Sequence, residues 1–328
     1  MEASRLNNPI KVHELMVQAR TLEERQIRMF KANEGYFWIG GPGEEAFQIP
    51  LGLQIHKGEG RDFDFLHLHY RSAGIILAMG AAQPIDFIRQ MKNTASDPFS
   101  GGRNFGNHAS VRKFNIVPIT STIETQFLTA IGGGIAHRRQ GGKGITITTS
   151  GEAGTAEGDF ASALVWSSRP KAELPMLMIV TNNGWGISTD ASTQHGEKRV
   201  ADRATAFGIR NRTINGLDVD ESFSAISEAM AYVRTERKPF LLEVMVSRMY
   251  GHSSASGGNL AVDEADPLAI YEKKLETQGV MTRKAMDEVR ERSTQEMLEI
   301  WKKVRQEPLP DPSTIYDNIF YGEKGRSW

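Results

Sequence analysis

Apolar runs alternate with helical segments through the middle of this 328-residue chain, and this alternation constrains the fold more than any other feature of the sequence. Ile145–Thr149 is rich in β-branched residues, and Met176–Thr181 is a continuous apolar run of the kind found in strands buried on both faces. Thr155–Ser167, between these two runs, is predicted to be helical. A helix at Glu221–Thr235 and a strand at Phe240–Val246 follow. This βαβ order predicts an α/β fold in which a parallel sheet carries helices on both faces.

The first third of the chain is predicted to be mainly helical. Residues 10–33 carry apolar side chains near one stripe, as an amphipathic helix does. Glu44–Ile55 is a second predicted helix, which Pro50 should bend or interrupt because proline lacks the amide proton of a helical hydrogen bond. Phe63–Leu66 is a predicted short strand, and Arg71–Met79 is a third predicted helix.

An irregular segment separates these helices from the alternating region. Residues 92–118 contain several glycines with scattered Lys and Asn, and a loop of this length within a compact domain is usually functional or mobile. Ser121 and Thr122, just after it, are predicted to cap a helix that runs to His137.

The C-terminal part of the chain differs in character. Asp266–Thr277 and Arg283–Gln306 are predicted helices with charged surfaces and an apolar stripe. The tail beyond them exposes large apolar side chains with little regular structure, so it needs a surface on which to lie. These tail side chains are Ile315, Tyr316, Ile319, Phe320 and Tyr321. We therefore divide the chain into an α/β domain with an N-terminal helix, residues 1–265, and a helical C-terminal extension with its tail, residues 266–328.

Composition narrows the classes of function. The formal net charge is −1, which predicts no attraction to nucleic acid or to an anionic membrane. Cysteine is absent, which excludes disulfides and thiol catalysis. The N-terminal residues lack the apolar core of a signal peptide, and the most apolar run, Leu174–Val180, is too short to span a bilayer. We therefore expect a cytoplasmic protein with no nucleic-acid or membrane partner.

Polar side chains follow two of the predicted strands at the point where each strand ends. Glu152 comes just after the strand that ends at Ser150, while Asn182 and Asn183 follow the next strand. Open α/β sheets bind ligands at the carboxyl ends of their strands, so a carboxylate and a carboxamide meet at the expected binding edge. Mg²⁺ takes a few such oxygen ligands and completes its shell with phosphate and water. The helix predicted to begin near Thr155 directs its positive end to the same place, which favours a diphosphate.

In this region the sequence resembles the alpha subunits of thiamine-diphosphate-dependent 2-oxo acid dehydrogenase complexes, and most closely those of the branched-chain type. That family has Gly-Glu-Gly, then Glu-Gly-Asp, then Asn-Asn-Gly-aromatic-x-Ile-Ser-Thr. The corresponding residues here are Gly151-Glu152-Ala153, Glu157-Gly158-Asp159 and Asn182-Asn183-Gly184-Trp185-Gly186-Ile187-Ser188-Thr189. The resemblance covers about residues 12–305 and implies a thiamine-diphosphate-binding fold.

The same resemblance implies how the cofactor and its metal are held. Glu152, the side chain of Asn183 and the backbone carbonyl of Trp185 would bind Mg²⁺. The residues that would contact thiamine diphosphate are Tyr70, Arg71, Ser121, Ile123, Gly151, Glu152, Ala153, Gly154, Asn183, Trp185 and His252. One residue departs from the pattern, since Ala153 stands where the family has glycine and a glycine follows at Gly154. If position 153 requires a positive φ, alanine is strained there and the affinity for the metal falls.

Two further blocks imply contacts to the rest of the cofactor. Tyr70 and Arg71 open a segment similar to the Tyr-Arg-x-x-Gly of the family, whose Tyr and Arg contact the diphosphate. Arginine suits that role because its planar fork can bind phosphate with two hydrogen bonds. Ser121 and Ile123 fall in a stretch similar to one that lies along the pyrimidine and the bent waist of the cofactor.

Two histidines are the predicted catalytic residues. His108 matches a family histidine that approaches the substrate, and His252 lies in a Gly-His-Ser block whose histidine faces the reactive ring of the cofactor. Both would donate hydrogen bonds or protons to the substrate carboxylate and the developing alkoxide. The family usually has an acidic residue after this block, whereas residues 253–258 contain none, so we expect that loop to be ordered differently.

The function implied by the resemblance is oxidative decarboxylation of a branched-chain 2-oxo acid, of the 3-methyl-2-oxobutanoate type, with transfer of the acyl group to a lipoyl group on the transacylase component. The family takes a further catalytic glutamate from a beta subunit, which implies an α₂β₂ heterotetramer with the cofactor at the interface. The alternative within enzymes is a pyruvate or acetoin dehydrogenase alpha subunit. The other alternative is a non-catalytic scaffold partner that has lost the cofactor, which Ala153 and the altered loop at 253–258 favour.

Overall fold

The computed structural model describes residues 8–261 and 263–317 of the chain. In chain order its helices are α1 (Pro9–Lys31), α2 (Glu45–Gln54), α3 (Ala73–Met79), α4 (Pro84–Lys92), α5 (Thr125–Gln140), α6 (Gly158–Ser167), α7 (Asp202–Thr205), α8 (Val219–Glu236), α9 (Pro267–Thr277) and α10 (Arg283–Val304). Its strands are β1 (Phe65–His67), β2 (Thr146–Gly151), β3 (Met176–Asn182), β4 (Trp185–Gly186), β5 (Thr189–Asp190), β6 (Arg210–Asn215) and β7 (Phe240–Met245). The mixture of helices and strands confirms the predicted α/β class.

The main sheet is parallel throughout, as the βαβ order predicts. Its five strands lie in the order β1-β2-β3-β7-β6, and each neighbouring pair is parallel. β2 and β3 are neighbours, with Gly151 opposite Thr181, so the carboxyl ends of these two strands meet at one edge of the sheet. A short antiparallel pair, β4 with β5, follows that edge and forms a separate small sheet.

Helices cover both faces of the sheet, which explains why β3 is apolar at successive positions. Leu177 and Ile179 belong to the larger apolar core, which α1, α2, α8 and α10 also line. Met176, Met178 and Val180 belong to a second core on the opposite face, against α5 and α6. Because side chains alternate between the two faces of a strand, a strand with both faces covered can be apolar at successive positions, as β3 is from Met176 to Val180.

The sequence pattern predicts neither α4 nor β6. α4 is amphipathic, with Phe87 and Met91 buried, and it begins with Pro84 in its first turn and with the carboxylate of Asp86 accepting from a backbone amide at 2.9 Å. β6 is polar, and of its residues only Ile214 is buried, because the strand lies at the edge of the sheet. An edge strand with one partner lacks the apolar signal that marked the central strands.

α2 continues through Pro50, so the expected interruption is wrong. The flanking residues Ile49 and Leu51 are fully buried, and the helix packs against α3 and α8. The side-chain amide of Gln54 also donates to the Pro50 carbonyl at 3.1 Å. Tertiary packing therefore maintains a helix that the local sequence disfavours.

The segment between α4 and α5 is largely irregular, as predicted, but internal hydrogen bonds hold it in place. Asp97 accepts hydrogen bonds from the amides of Phe99 and Ser100 at 2.9 and 3.1 Å. α5 begins at Thr125 rather than directly after the predicted cap at Ser121 and Thr122. The segment therefore ends in a turn that leads into the functional edge of the sheet.

The C-terminal helices pack on the helices that precede the sheet. α9 and α10 lie against α1, α10 also contacts α4, and Met286 and Met297 are buried in the larger core. Arg20 of α1 pairs with Glu45 at 2.6 Å and with Asp266, just before α9, at 2.9 Å. The extension is therefore continuous with the core of the α/β region.

The start of the tail lies on the irregular segment that follows α4. The amide of Ala95 donates to the Pro308 carbonyl at 2.9 Å, while Ile315 and Tyr316 stay exposed. The other tail side chains of the prediction, Ile319, Phe320 and Tyr321, lie outside the described residues. In residues 8–261 and 263–317, no helix combines the length and the apolar character needed to cross a bilayer.

Candidate functional site

A cleft of about 590 Å³ opens at the carboxyl edge of the sheet, beyond the ends of β2 and β3. Every residue predicted to contact the cofactor lines it. These residues are Tyr70, Arg71, Ser121, Ile123, Gly151, Glu152, Ala153, Gly154, Asn183, Trp185 and His252. Segments more than a hundred residues apart in sequence therefore meet at the edge where open α/β sheets bind ligands.

Glu152, Asn183 and Trp185 lie together at the two strand ends. The backbone amide of Asn183 donates to Oε2 of Glu152 at 3.4 Å. The backbone amide of Trp185 donates to the side-chain oxygen Oδ1 of Asn183 at 3.0 Å. Glu152 is 1% exposed, and its second carboxylate oxygen, Oε1, has no hydrogen-bond partner among the described residues. A buried carboxylate oxygen without a partner is costly, so this group is suited to a cation.

The donor set suits a hard cation that keeps part of its shell for other ligands. Burial raises the pKa of Glu152, while hydrogen bonds from the Asn183 and Trp185 amides and the charge of Arg71 act in the opposite direction. Residues 8–261 and 263–317 hold no cluster of three His, Cys, Asp or Glu side chains arranged to bind a metal. One carboxylate with amide and carbonyl oxygens is the kind of partial shell that Mg²⁺ completes with phosphate and water.

The backbone after β2 differs from the expected helix. Residues Glu152–Ala156 form a 3₁₀ turn in which the Thr155 hydroxyl donates to the Glu152 carbonyl at 2.5 Å. α6 therefore begins at Gly158 rather than near Thr155, and Glu157 precedes its first turn. Because the tight turn uses the residues assigned to the first helical turn, the helix N-terminus lies one turn farther along the chain than predicted.

Ala153 is not strained in this turn. Among the described residues, those other than glycine that have a positive φ include Glu124 and Ile187 but not Ala153. The departure from the Gly-Glu-Gly pattern therefore does not require an unfavourable backbone conformation at position 153. The expected loss of metal affinity depended on that strain.

Arg71 and His252 form a hydrogen-bonded pair on one side of the cleft. An Arg71 nitrogen donates to Nδ1 of His252 at 3.0 Å and to the His252 carbonyl at 3.1 Å, while another donates to the Gly40 carbonyl. Because arginine can only donate, Nδ1 of His252 must accept, and the proton of the neutral ring is on Nε2. Burial and the charges of Arg71 and Arg248 lower the pKa of His252 to about 4, so the ring is neutral at neutral pH.

His108 does not line the cleft directly and reaches it through Ser121. Nε2 of His108 lies 2.5 Å from the Ser121 hydroxyl, and Nδ1 lies 2.9 Å from the Gly106 carbonyl. Since a carbonyl only accepts, Nδ1 carries the proton and Nε2 accepts from Ser121 in the neutral ring. Burial lowers the pKa of His108, which favours that neutral form.

The Gly-His-Ser block continues into an ordered loop. Residues Ser254–Ser256 form a 3₁₀ turn, and the Ser254 amide donates to the Trp38 carbonyl at 2.8 Å. Ser254 is buried, and its hydroxyl accepts from the Trp38 amide at 3.3 Å. Serine contacts to the segment after α1 therefore hold this loop, which has no acidic residue.

Several residues of the cleft were missed by sequence reasoning. His69 is buried beside Tyr70, with ring centroids 3.7 Å apart, and its Nδ1 has no partner among the described residues. Burial lowers its pKa well below the usual value, with Arg71 and two other histidines contributing. Its place directly before the Tyr-Arg block was the one local signal that could have identified it.

One wall of the cleft is apolar, and no sequence pattern predicts it. Phe37, Ile39 and Phe105 line this wall, and the rings of Phe37 and Phe105 lie 5.4 Å apart. These residues come from the turn after α1 and from the irregular segment before α5. Because both segments lack periodicity, only the fold shows that they face the same space as Glu152.

Comparison with known proteins places these features in a family. The family model described as "Dehydrogenase E1 component" matches residues 13–313. The chain is 28% identical over 323 residues to the 2-oxoisovalerate dehydrogenase subunit alpha of Bacillus subtilis (strain 168), covering 95% of this chain and 94% of the relative. It is 26% identical over 321 residues to 2-oxoisovalerate dehydrogenase subunit alpha 2, mitochondrial, of Arabidopsis thaliana, covering 95% of this chain and 66% of the relative. It is 24% identical over 322 residues to 2-oxoisovalerate dehydrogenase subunit alpha, mitochondrial, of Homo sapiens, covering 95% of this chain and 70% of the relative.

Proposed function

The chain belongs to the dehydrogenase E1 component family, and on that premise we propose that it is the alpha subunit of a branched-chain 2-oxo acid dehydrogenase. The family implies thiamine diphosphate as the cofactor. The relatives with the name 2-oxoisovalerate dehydrogenase support the branched-chain substrate. The observation that carries the proposal is the meeting of Glu152 and Asn183 at adjacent strand ends, where one buried carboxylate oxygen has no partner in the part of the chain that the structure describes.

The proposed metal is Mg²⁺, which would join this chain to the diphosphate. Oε1 of Glu152, the Asn183 side chain and the Trp185 carbonyl are its proposed ligands, and Arg71 and Tyr70 are the proposed diphosphate contacts. In this arrangement the cation would satisfy Oε1 of Glu152, which has no hydrogen-bond partner within residues 8–261 and 263–317.

When bound, thiamine diphosphate supplies the electron sink for cleavage of the bond between the carboxylate and the carbonyl carbon of the substrate. His252 is the proposed catalytic residue of this chain, because its Nε2–H is a donor that can stabilise the substrate carboxylate or a developing oxyanion. Arg71 positions that ring through Nδ1. His108, the other predicted catalytic histidine, is proposed to act through Ser121: its Nε2 accepts from the Ser121 hydroxyl at 2.5 Å, which leaves the Ser121 oxygen as an acceptor for the cofactor.

The proposed substrate is a branched-chain 2-oxo acid such as 3-methyl-2-oxobutanoate. The apolar wall of Phe37, Ile39 and Phe105 supports an aliphatic side chain, because such a surface gains from contact with each additional methyl group. Steady-state kinetics of the reconstituted alpha–beta pair with 3-methyl-2-oxobutanoate and with pyruvate test this choice. A higher kcat/KM for pyruvate would identify a pyruvate dehydrogenase instead. Acetoin is assayed in the same way, and a higher kcat/KM for acetoin would identify an acetoin dehydrogenase.

The proposed partner is a beta subunit that covers the open cleft and completes the active site, in an α₂β₂ heterotetramer. Large apolar side chains at the mouth of the cleft stay exposed, with Ile187 at 59%, Phe105 at 55% and Trp185 at 37%. Exposed apolar groups around a ligand site favour a covering chain. We further propose that the acyl product passes to a lipoyl group on the transacylase component.

Titration of the reconstituted pair with thiamine diphosphate, in the presence and absence of Mg²⁺, tests the cofactor assignment. We expect metal-dependent binding that Glu152→Ala abolishes, because the variant loses the carboxylate that links the protein to the cation. Glu157→Ala is the matched control, since Glu157 also lines the cleft but is not a proposed ligand. Absence of metal-dependent binding in the wild-type pair would favour the non-catalytic scaffold, and unchanged affinity in Glu152→Ala would remove the metal assignment.

Two further expectations from the sequence stay predictions. The division of the chain into residues 1–265 and 266–328 is one, and the cytoplasmic location is the other.

A further inference from the structure

A buried glutamate beside the proposed metal site has no role in the proposed function. Glu124 is 0% exposed, and its Oε2 has no hydrogen-bond partner among the described residues. It precedes α5 and has a φ of 64°, a left-handed conformation that is unfavourable for residues with a side chain. Contacts elsewhere must therefore maintain this placement.

Those contacts are made with the turn that carries Glu152. The Ser150 hydroxyl donates to Oε1 of Glu124 at the end of β2. On the other side of Glu152, the Glu124 carboxyl packs against Gly154 so closely that a Cβ added there would overlap Oε1. The same Cβ would lie 2.8 Å from Cγ2 of Ile123. Glu124 thus contacts the turn both before and after Glu152.

Gly154 is required for space rather than for its backbone conformation. Its φ is not in the positive range, so an alanine there would be unstrained apart from the overlap with Glu124 and Ile123. Gly158, farther along the same segment, also lacks a positive φ, and a Cβ there would meet nothing within 4 Å. The two glycines differ in the side chains of Glu124 and Ile123, which lie against Gly154 but not against Gly158, so Gly158 is a control for replacing a glycine in this segment.

A second pairing explains how alanine is accommodated at position 153. A Cβ added to Gly186 would overlap Oε1 of Gln194 and lie 2.7 Å from the Ala153 methyl, so these two side chains share the space that a side chain at 186 would need. Gly186 directly follows Trp185, a proposed ligand of the cation. The displaced glycine of the Gly-Glu-Gly pattern therefore coincides with two close contacts, Ala153 with Gly186 and Gly154 with Glu124.

We propose that Glu124 is a positioning residue for the metal-binding turn, and that Glu124 and Gly154 form a matched pair that fixes Glu152 at the strand end. This inference rests on the proposed function, because the benefit of fixing Glu152 is the affinity for Mg²⁺ and diphosphate. Glu124 touches neither Glu152 nor Asn183 through a hydrogen bond, and it acts through Ser150 and Gly154.

The protonation of Glu124 agrees with a steric role. Burial raises its pKa to about 8, with Asp159 and Glu157 adding to the rise and the Ser150 hydrogen bond opposing it. A carboxyl that is neutral at neutral pH does not compete with Glu152 for a cation. Glutamine has nearly the same shape and keeps an acceptor for Ser150, so Glu124→Gln is the conservative variant.

A double-mutant cycle on cofactor binding tests the pair. Thiamine diphosphate is titrated into the reconstituted alpha–beta pair with Mg²⁺, using wild type, Gly154→Ala, Glu124→Ala and the double variant. We expect Gly154→Ala to weaken binding roughly tenfold or more in the wild-type background and less than about threefold in the Glu124→Ala background, where the contact with Cγ2 of Ile123 is the one that remains. Gly158→Ala should leave affinity unchanged, and Glu124→Gln should retain it while Glu124→Ala loses it by a few-fold.

The outcomes separate this inference from the proposed function. If the wild-type pair shows no metal-dependent binding, the proposed function fails. If wild type binds but the Gly154→Ala loss is equal in both backgrounds, or Gly158→Ala is as harmful, the matched pair is wrong. Thermal unfolding without cofactor is the parallel readout, and a lower Tm with unchanged affinity would reduce Glu124 to a structural residue. Should Gly154→Ala not fold, equal binding by Glu124→Ala and Glu124→Gln overturns the inference.

Discussion

The ring of His252 shows how much of this site is decided by single hydrogen bonds. Arg71 donates to its Nδ1 at 3.0 Å and also to its carbonyl, so both the tautomer and the orientation of the ring are set by one neighbour. The same arginine, together with Arg248 and burial, holds the ring neutral. A proposed donor to substrate is therefore maintained in its neutral, Nε2-protonated form at neutral pH.

The lowered pKa of His252 predicts a pH dependence of stability. The unfolded chain takes up a proton as the pH falls through about 6.5, whereas the folded chain resists it until about pH 4, so stability is lost across that window. We expect His252→Asn to remove the loss. The free energy of unfolding of the variant relative to wild type should rise by about 2 kcal/mol from about pH 7 to about pH 4, after discounting for the partly exposed ring.

Denaturant unfolding at the two pH values measures this difference. His252→Gln, a second neutral replacement, should give the same pH dependence. A difference that stays constant with pH for both variants would show that the ring takes up its proton equally in the folded and unfolded states.

Among the elements, α10 contributes more to the stability of the apolar core than its many charged residues indicate. One stripe of the helix is buried against α1 and α4, and Met297 on that stripe is 1% exposed. The guanidinium of Arg20 links α1 to the residue before α9. Packing of this kind joins the C-terminal helices to the first helix of the chain, across the whole length of the sequence.

This packing predicts that a cavity in α10 destabilises the core. We expect Met297→Ala to lower the free energy of unfolding by about 2–4 kcal/mol, because the removed side chain leaves a space that the core cannot fill. Glu296→Ala, its exposed neighbour, should change it by less than about 0.5 kcal/mol. Denaturant unfolding followed by circular dichroism measures both, and a separate early transition in Met297→Ala would show that the extension unfolds on its own.

At the scale of the whole molecule, the parallel sheet determines where the site lies. The helices packed on the two faces of the sheet stabilise the folded chain. The strand ends of β2 and β3 bring Glu152 and Asn183, two of the proposed metal ligands, together. The cleft is open at the carboxyl edge, so ligand binding there adds to the stability of the folded chain without changing its core.

Cofactor binding should therefore raise the Tm in a metal-dependent way. At a concentration about a hundred times its Kd, thiamine diphosphate with Mg²⁺ should stabilise the reconstituted pair by about 2.7 kcal/mol, a shift of a few degrees. Removal of Mg²⁺ with a chelator should abolish the shift in wild type. Glu152→Ala should show no shift in either condition, and a shift that survives the chelator would contradict the metal-bridged arrangement.

Local sequence patterns were sufficient to predict the elements whose structure depends mainly on neighbouring residues. The β-branched run at β2, the continuous apolar run at β3 and the run at β7 predicted strands, and the fold confirms all three. β3, which was predicted to be buried on both faces, has residues in both apolar cores. Glu152 and Asn183 could be paired from the sequence because parallel strands end at a common edge. The amphipathic period likewise predicted α1 and α10 close to their observed limits.

The rest depended on contacts between distant segments. No periodicity marks Phe37, Phe105 or β6, and local rules wrongly interrupt α2 at Pro50, since packing against other elements decides those features. The sequence by itself determined the strands β2, β3 and β7, their parallel βαβ arrangement and the polar groups at the ends of β2 and β3, because these depend on local pattern and strand direction. Only the tertiary structure decided which side chains surround that edge, including Glu124 against Gly154, because van der Waals overlap between residues far apart in the chain leaves no local signature.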